Sequence, residues 1–97
     1  MPTYIVLMNW TDQGIKNVKD TVKRAQDFRN AVERSGGKML DAYYTMGKHD
    51  FVVTVEFQND ESAMLTLLAL GERGNVHTAT LKAFSLSEAE KIISKLS

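Results

Sequence analysis

The chain has 97 residues and no cysteine, and its length predicts one domain over residues 1–97. Its 12 Lys and Arg residues balance 12 Asp and Glu residues, so the formal net charge is zero. The missing cysteines exclude disulfides, thiolate metal sites and a cysteine nucleophile, and the balanced charge argues against a nucleic-acid binder, which needs a basic surface. Residues 1–4 lack the basic start of a signal peptide and no apolar run approaches a membrane span of about 20 residues, so we expect a cytoplasmic protein with no membrane partner.

The first half of the chain predicts a strand and then a helix. Residues 4–10 are rich in β-forming side chains and are apolar on both alternating faces, which indicates a strand buried on both sides. From residue 20 to 35, apolar side chains recur every three or four positions and define one face of a helix. Gly36 and Gly37 end this helix, because glycine tolerates the left-handed conformation of a helix cap.

The second half predicts a hairpin, a second helix, a last strand and a short terminal helix. Strands over residues 38–46 and 50–57 flank a turn at Gly47, and the second of them has one wholly apolar face. Asn59 is a suitable N-cap for the following helix, on which we expect Met64 and Leu68 to be buried with Ala63, Leu67 and Leu70. Residues 76–84 form strand four, and the capping-box spacing from Ser85 to Glu88 opens a helix that ends near residue 96.

This order of elements predicts an α+β protein of the ferredoxin-like type. The βαββαβ pattern gives a four-stranded antiparallel sheet in the order 4-1-3-2, with helices on one face and a short C-terminal helix. We further expect strands one and three to form a parallel central pair. That arrangement would place His49 and His77 at opposite ends of the sheet, and both main helices would begin at the His77 end, where their N-termini favour anions.

The sheet face that is free of helices predicts self-association. We assign Val6, Met8, Val52 and Thr54 to this face, together with tyrosines of strand two. A solvated face would carry more polar side chains, and an exposed apolar patch of this kind usually marks an interface. We therefore expect a homodimer in which two sheets pack face to face.

The turn at residues 47–50 and the strand behind it resemble the GYD domain family, small bacterial and archaeal proteins named for a Gly-x-Tyr-Asp turn before an apolar strand. The resemblance extends over nearly the whole chain, in segments 4–7, 9–15, 17–20, 36–38, 44–47, 50–51, 68–71, 74–76 and 80–84. His49 departs from the pattern, because it stands where the family motif has tyrosine. The resemblance implies a ferredoxin-like fold and similarity to dimeric α+β barrel proteins, but no established function and no catalytic residues.

Two groups of residues are candidates for a functional site. His49 and Asp50 could transfer protons as a catalytic pair, although the sequence favours structural roles, with Asp50 capping the hairpin turn and His49 as a partly buried residue at the strand end. Asn9, Trp10, Tyr44 and His77 are candidate ligand-binding residues, because apolar walls with a few polar groups are typical of pockets. Motifs for metals, phosphates and activated nucleophiles are absent, so we expect no metal and no cofactor.

Three functions remain open at this point. The first is a homo-oligomeric accessory module or small-molecule binding module, with a pocket between the helices and the sheet near Asn9 and Trp10. The second is a cofactor-independent monooxygenase or isomerase of the dimeric α+β barrel type that acts on a small hydrophobic or aromatic substrate through His49 and Asp50. The third is a protein that assembles only with itself.

Overall fold

A computed structural model describes residues 1–97 and consists of four strands and four helices. In chain order the elements are β1 (Thr3–Trp10), α1 (Asp12–Lys16), a 3₁₀ turn (Val18–Asp20), α2 (Thr21–Arg34), β2 (Lys38–Tyr44), β3 (Phe51–Glu56), α3 (Asp60–Glu72), β4 (Val76–Ala83) and α4 (Leu86–Ile93). None of the helices is both long and apolar enough to cross a membrane.

The four strands form one antiparallel sheet in the order β2-β3-β1-β4, with α2 and α3 on one face. The order confirms the ferredoxin-like α+β prediction, but the expected parallel pairing of β1 and β3 is wrong, because these strands run antiparallel. The physical reason lies in the connections. A right-handed crossover leaves β2 parallel to β1, and the hairpin then reverses β3, so β3 must oppose β1.

The hydrophobic core lies between the sheet and the two long helices. On β3 the alternating residues Phe51, Val53 and Val55 are buried, as their pattern predicted. Val6 lies directly opposite Val53, and residues opposite each other in an antiparallel pair point to the same face. Val6 and Met8 are therefore core residues, and their predicted place on the helix-free face is wrong.

The helices run in opposite directions across the sheet. α2 follows the end of β1 and α3 follows the end of β3, and these two strand ends lie at opposite ends of the sheet. The expectation that both helices begin at the His77 end is wrong for the same reason. α2 buries Phe28 and Val32, each contributing roughly 1.5–3 kcal/mol by removal from water.

Helix α3 is apolar on more than one face. Its N-cap Asn59 accepts a hydrogen bond from the backbone N–H of Ser62, as predicted. Ala63 is buried, but Met64 and Leu68 are more than half exposed, which corrects the prediction that they belong to the core. The helix has more apolar side chains than its contact with the sheet can cover, so some of them face outward.

The β2–β3 hairpin and the terminal helix form as their local sequences require. Gly47 has a φ of +119°, a conformation that side chains with a Cβ rarely adopt. Ser85 and Glu88 form the predicted capping box at the start of α4. α4 extends the molecule to a length of 52 Å and leaves Leu86 and Ile93 exposed.

Candidate functional site

The end of β1 and the starts of β3 and β4 meet at one end of the sheet. Met8 lies opposite Phe51, and Asn9 lies opposite His77. His49 and His77 therefore lie at the same end, and the prediction of opposite ends is wrong because it rested on a parallel β1–β3 pair. The antiparallel register brings together all the predicted catalytic and ligand-binding residues: Asn9, Trp10, Tyr44, His49, Asp50 and His77.

Asp50 is engaged in backbone contacts rather than in a pair with His49. One carboxylate oxygen, Oδ2, accepts a hydrogen bond of 3.0 Å from the backbone N–H of Trp10. The backbone N–H of Asp50 donates to the carbonyl of Met8, and its carbonyl accepts from the backbone N–H of Thr45. These bonds fix the hairpin to the end of β1, as the turn-capping interpretation of Asp50 expects.

His49 is held by Asn9. The ring nitrogen Nδ1 of His49 lies 3.0 Å from Oδ1 of Asn9, and Nδ2 of Asn9 donates to the carbonyl of Lys48 at 2.6 Å. Because Oδ1 of Asn9 can only accept, Nδ1 of His49 carries the proton in this contact. Sequence reasoning missed this link, since it had placed the two residues at different ends of the sheet.

Three aromatic side chains lie on the helix side of the same sheet end. The rings of Trp10 and Tyr44 stack with centroids 6.5 Å apart, and those of Tyr44 and Phe51 lie 4.5 Å apart. The hydroxyl of Tyr44 also lies 3.2 Å from the hydroxyl of Thr21 at the start of α2. Trp10 and Tyr44, both predicted ligand residues, therefore lie together, whereas Asn9 and His77 lie on the other side of the sheet.

A cleft of about 80 Å³ opens between α2, α3 and this end of the sheet. Its walls are mainly apolar, and Thr66 is the buried polar side chain among them. The charged lining residues are Arg24, Asp27 and Arg73. Of the predicted ligand residues only Trp10 lines the cleft. Sequence reasoning missed Arg24 and Asp27 because the charged face of α2 was expected to be solvated, although the small residues at 25, 31 and 69 could have signalled a gap in the packing.

The face of the sheet opposite the helices is uncovered and mainly apolar; we call it the open sheet face. Val52 and Thr54 lie on it as predicted. In the sheet register, each of them lies opposite a residue of β1 whose side chain points to the same face. Edge residues Tyr43 and Leu81 are 64% and 51% exposed. The centre of the open sheet face consists of Ile5, Leu7, Tyr43, Val52, Thr54, Ala79 and Leu81, and the polar residues Asn9, Asp41, Glu56 and His77 lie around it on the same face.

A polar cluster that the sequence did not predict joins β1, α3 and β4. The hydroxyl of the buried Tyr4 donates to Oδ1 of Asp60, and Nζ of Lys82 lies 3.2 Å from the same oxygen. Burial, then the hydrogen bond to Asp60 and its negative charge, raises the pKa of Tyr4 to about 12. The hydrogen bonds from Tyr4 and, second, from Lys82 lower the pKa of Asp60.

The potential metal ligands of the structure do not cluster. No group of three or more His, Asp and Glu side chains is positioned to hold a metal ion. His49 and His77 share one end of the sheet, but neither belongs to such a group.

Together the sheet order, the helices on one face and the uncovered second face define a ferredoxin-like α+β protein. The family model described as the GYD domain matches residues 4–93, and the chain belongs to the GYD domain family. The resemblance in the hairpin and its flanking segments is thereby confirmed, with His49 in place of the motif tyrosine.

A curated relative and two solved structures extend this comparison. The chain is 33% identical over 89 residues to a Thermus thermophilus protein named "Glutamine synthetase and cystathionine beta-lyase binding protein", covering 91% of this chain and 94% of the relative. Crystal structures of MtbAldR and of TTHA0845 from Thermus thermophilus share the fold, with TM-scores of 0.67 and 0.51 and identities of 12% and 24%. The match covers 87% of this chain but only 52% of MtbAldR, against 88% and 95% for TTHA0845.

Proposed function

We propose that this protein is an accessory module that self-associates through the open sheet face and binds other proteins. The observation that carries this proposal is the uncovered apolar sheet. Ile5, Leu7 and Val52 lie on the two central strands, yet no helix of the chain packs on their side. Burying them against a second copy would remove this surface from water, and the absence of net charge puts little electrostatic repulsion in the way.

The size of the open sheet face suits a dimer. Four strands of six to eight residues, spaced about 4.8 Å apart and about 20–27 Å long, present a flat area of roughly 470 Å². Because side chains protrude from the sheet, the accessible surface of this face is larger than its flat area. It approaches the roughly 800 Å² that each partner buries in a standard interface. In a two-fold symmetric dimer, the central strands of one copy would pack against the central strands of the second copy.

A pair of matched substitutions tests self-association. Leu81→Glu puts a charge on the open sheet face, and Val22→Glu puts the same charge on the outer side of α2, at similar exposures of 51% and 57%. Light scattering after gel filtration should give a dimeric mass for the wild type and for Val22→Glu, and a monomeric mass for Leu81→Glu. A monomeric wild type at micromolar concentration, or a dimer that survives Leu81→Glu, would contradict the proposal.

The binding of other proteins rests on the relative and on a second apolar surface. The Thermus relative is named for binding two metabolic enzymes, and a corresponding role here agrees with a cytoplasmic location. Helix α3 exposes Met64, Leu65 and Leu68, at 65%, 72% and 58%, and Met64 and Leu68 line a groove beside β4. An exposed apolar patch is a common feature of protein-binding surfaces, and this one lies away from the open sheet face.

Partner binding is tested with purified enzymes rather than with a lysate. Immobilised full-length protein is exposed to glutamine synthetase and, separately, to cystathionine β-lyase from the same organism, and binding is followed by biolayer interferometry. We expect saturable binding of at least one enzyme, weakened about tenfold or more by Leu65→Glu and unchanged by Val22→Glu. Absence of binding, or equal loss with both variants, would contradict the use of this surface.

A further inference from the structure

We propose that the cleft between α2 and α3 binds a short-chain apolar carboxylate, with the carboxylate on Arg24 and the tail among the apolar walls. The cleft lies on the helix side of the sheet, so this site does not depend on self-association through the open sheet face. The inference rests on three features of the cleft: a guanidinium group that backbone carbonyls hold in place outside any ion pair, a net positive lining, and a small apolar interior.

Arg24 is oriented by two backbone carbonyl groups. Its Nη1 donates to the carbonyl of Asn17 at 2.7 Å, and its Nη2 donates to the carbonyl of Gly14 at 3.2 Å. These contacts hold the guanidinium plane, and the two ion pairs of the structure, Arg73–Asp27 and Lys82–Asp60, do not include Arg24, although Asp20 and Asp27 line a polar pocket with it. A guanidinium group has five N–H donors, so about three remain for a ligand.

A fixed guanidinium group is a receptor for carboxylates. Its parallel N–H donors match the two oxygens of a carboxylate, and such charge-assisted bonds are stronger than neutral ones. Arg24 is half-buried on the cleft wall, where the surrounding apolar side chains lower the effective dielectric and strengthen the attraction. The two backbone contacts already fix the guanidinium orientation, so little side-chain entropy is lost on binding.

The remaining charges also favour an anion. Arg73 and Asp27 line the same cleft, and their closest charged atoms are 4.0 Å apart, which is a loose ion pair between largely exposed groups. Two arginines against one aspartate leave one net positive charge in the lining. A monoanion would balance this charge, whereas a cationic ligand would add to it.

The interior sets the size and polarity of the tail. Phe28, Phe51 and Met8 contribute apolar walls, and Ala25 leaves space beside α2. The volume of about 80 Å³ is roughly half the 150 Å³ of an apolar cavity known to admit benzene, and a water-sized group takes about 30 Å³. The interior therefore accommodates a tail of about three to four carbon groups, as in a branched short-chain acid, and a long acyl chain would extend out of it.

Binding is tested with isovalerate as the probe and isovaleramide as its neutral counterpart. Nitrogen-15 NMR titration of the full chain should show saturable shifts at the amides of Arg24, Phe28 and Thr66, with a Kd of about 1 mM for a ligand of this size. Isovaleramide should bind at least about tenfold more weakly, because it lacks the charge. Equal binding of the amide, shifts confined to the open sheet face, or no saturable binding of isovalerate would overturn the proposal.

Two further probes define the class of acid. Decanoate should bind no more tightly than isovalerate if the interior is as short as the structure indicates, and much tighter decanoate binding at the same amides would overturn the short-chain assignment. Leucine carries the same branched tail with an added ammonium group. Tighter binding of leucine supports the site with an amino acid as the natural source, whereas tighter binding of isovalerate supports a simple organic acid.

Matched variants separate binding from folding. Arg24→Gln should weaken isovalerate binding about tenfold or more, and Arg24→Lys should retain part of the binding, since lysine keeps the charge without the bidentate geometry.

Ala25→Leu fills the interior while leaving Arg24 in place, and it should abolish binding without lowering the melting temperature. Val22→Leu adds a similar volume on the exposed side of α2 and should change nothing. Unchanged binding in folded Arg24→Gln or Ala25→Leu protein would overturn the assignment.

Discussion

The hydroxyl group of Tyr4 donates a hydrogen bond to the carboxylate of Asp60, and this contact ties the first strand to the first turn of α3. The two residues are 56 positions apart in the chain. Lys82 on β4 reaches the same carboxylate, so the cluster joins three separate elements. The tyrosine ring is 4% exposed, and its edge packs against Phe57 in the core, with ring centroids 5.7 Å apart.

Substitution Tyr4→Phe should lower the free energy of unfolding by about 1–2 kcal/mol at neutral pH, because it removes a hydrogen bond to a charged group and leaves the ring in place. The pKa of Tyr4 is about 12 in the folded protein, against about 10 in an unfolded chain, so the folded state holds the phenolic proton more tightly. This contribution is fully present below about pH 10 and is lost as the pH rises through about 12.

Urea denaturation at a series of alkaline pH values measures the Tyr4 effect. The wild type should lose stability across this window, and Tyr4→Phe should lose less. Tyr44→Phe is the matched control, because Tyr44 is 45% exposed on the helix side of the sheet and its hydroxyl contacts Thr21 rather than a carboxylate. If Tyr4→Phe and Tyr44→Phe showed the same alkaline dependence, the role given to the buried phenol would be wrong.

Substitution Asp60→Asn should act at both ends of the pH scale. The amide keeps an acceptor oxygen for Tyr4 but carries no charge, so the pKa of Tyr4 should fall from about 12 toward its ordinary value. The pKa of Asp60 is lower in the folded protein than in the unfolded chain, so the ionised carboxylate stabilises the folded state. This contribution is present above about pH 4 and is lost as the pH falls through the pKa of Asp60 in the folded protein. The loss of stability at low pH should therefore be smaller in the Asp60→Asn variant than in the wild type.

Tyrosinate absorbance during alkaline titration and urea denaturation at acid pH measure these two effects. Glu33→Gln provides the control, since Glu33 lies exposed on α2 and forms no ion pair. A highest tyrosine pKa that stays unchanged in Asp60→Asn would show that burial alone accounts for the raised value.

Asp50 should prove more important for stability than for proton transfer. Asp50→Ala removes the acceptor of the Trp10 N–H bond and should destabilise the protein by about 1–2 kcal/mol. Asp50→Asn keeps an acceptor oxygen and should recover much of this loss. Thermal unfolding of both variants measures the difference, and equal destabilisation would indicate that the negative charge, rather than the hydrogen bond, stabilises the hairpin.

The sequence predicted those features that depend on local patterns. The capping box at Ser85, the N-cap Asn59 and the apolar face of β3 are each specified by neighbouring residues, and all three are found in the structure. The sheet order followed from the chirality of the crossovers. These features need no knowledge of which residues distant in the chain come together.

The features that failed depend on strand direction and register. Treating β1 and β3 as parallel separated His49 from Asn9, although their side chains are 3.0 Å apart. β1 is apolar on both faces, so its own pattern could not reveal that Val6 belongs to the core; only the pairing with Val53 decides this. The cleft and its Arg24 were missed for a similar reason, since they depend on the separation of two helices, which the small residues at 25, 31 and 69 indicate but do not fix.

Gly47 and Gly71 should respond in opposite directions to alanine. Gly47 has a φ of +119°, so Gly47→Ala should cost about 1–2 kcal/mol of backbone strain even though no atom lies within 4 Å of the added Cβ. Gly71 lies in the last turn of α3 with open space around it and without a positive φ, so Gly71→Ala should stabilise the protein by up to about 1 kcal/mol. Both changes add one methyl group in open space, so their difference in urea denaturation isolates the backbone term. A Gly47→Ala variant as stable as Gly71→Ala would mean that the hairpin turn relaxes without cost, and that Gly47 does not set the position of His49 and Asp50.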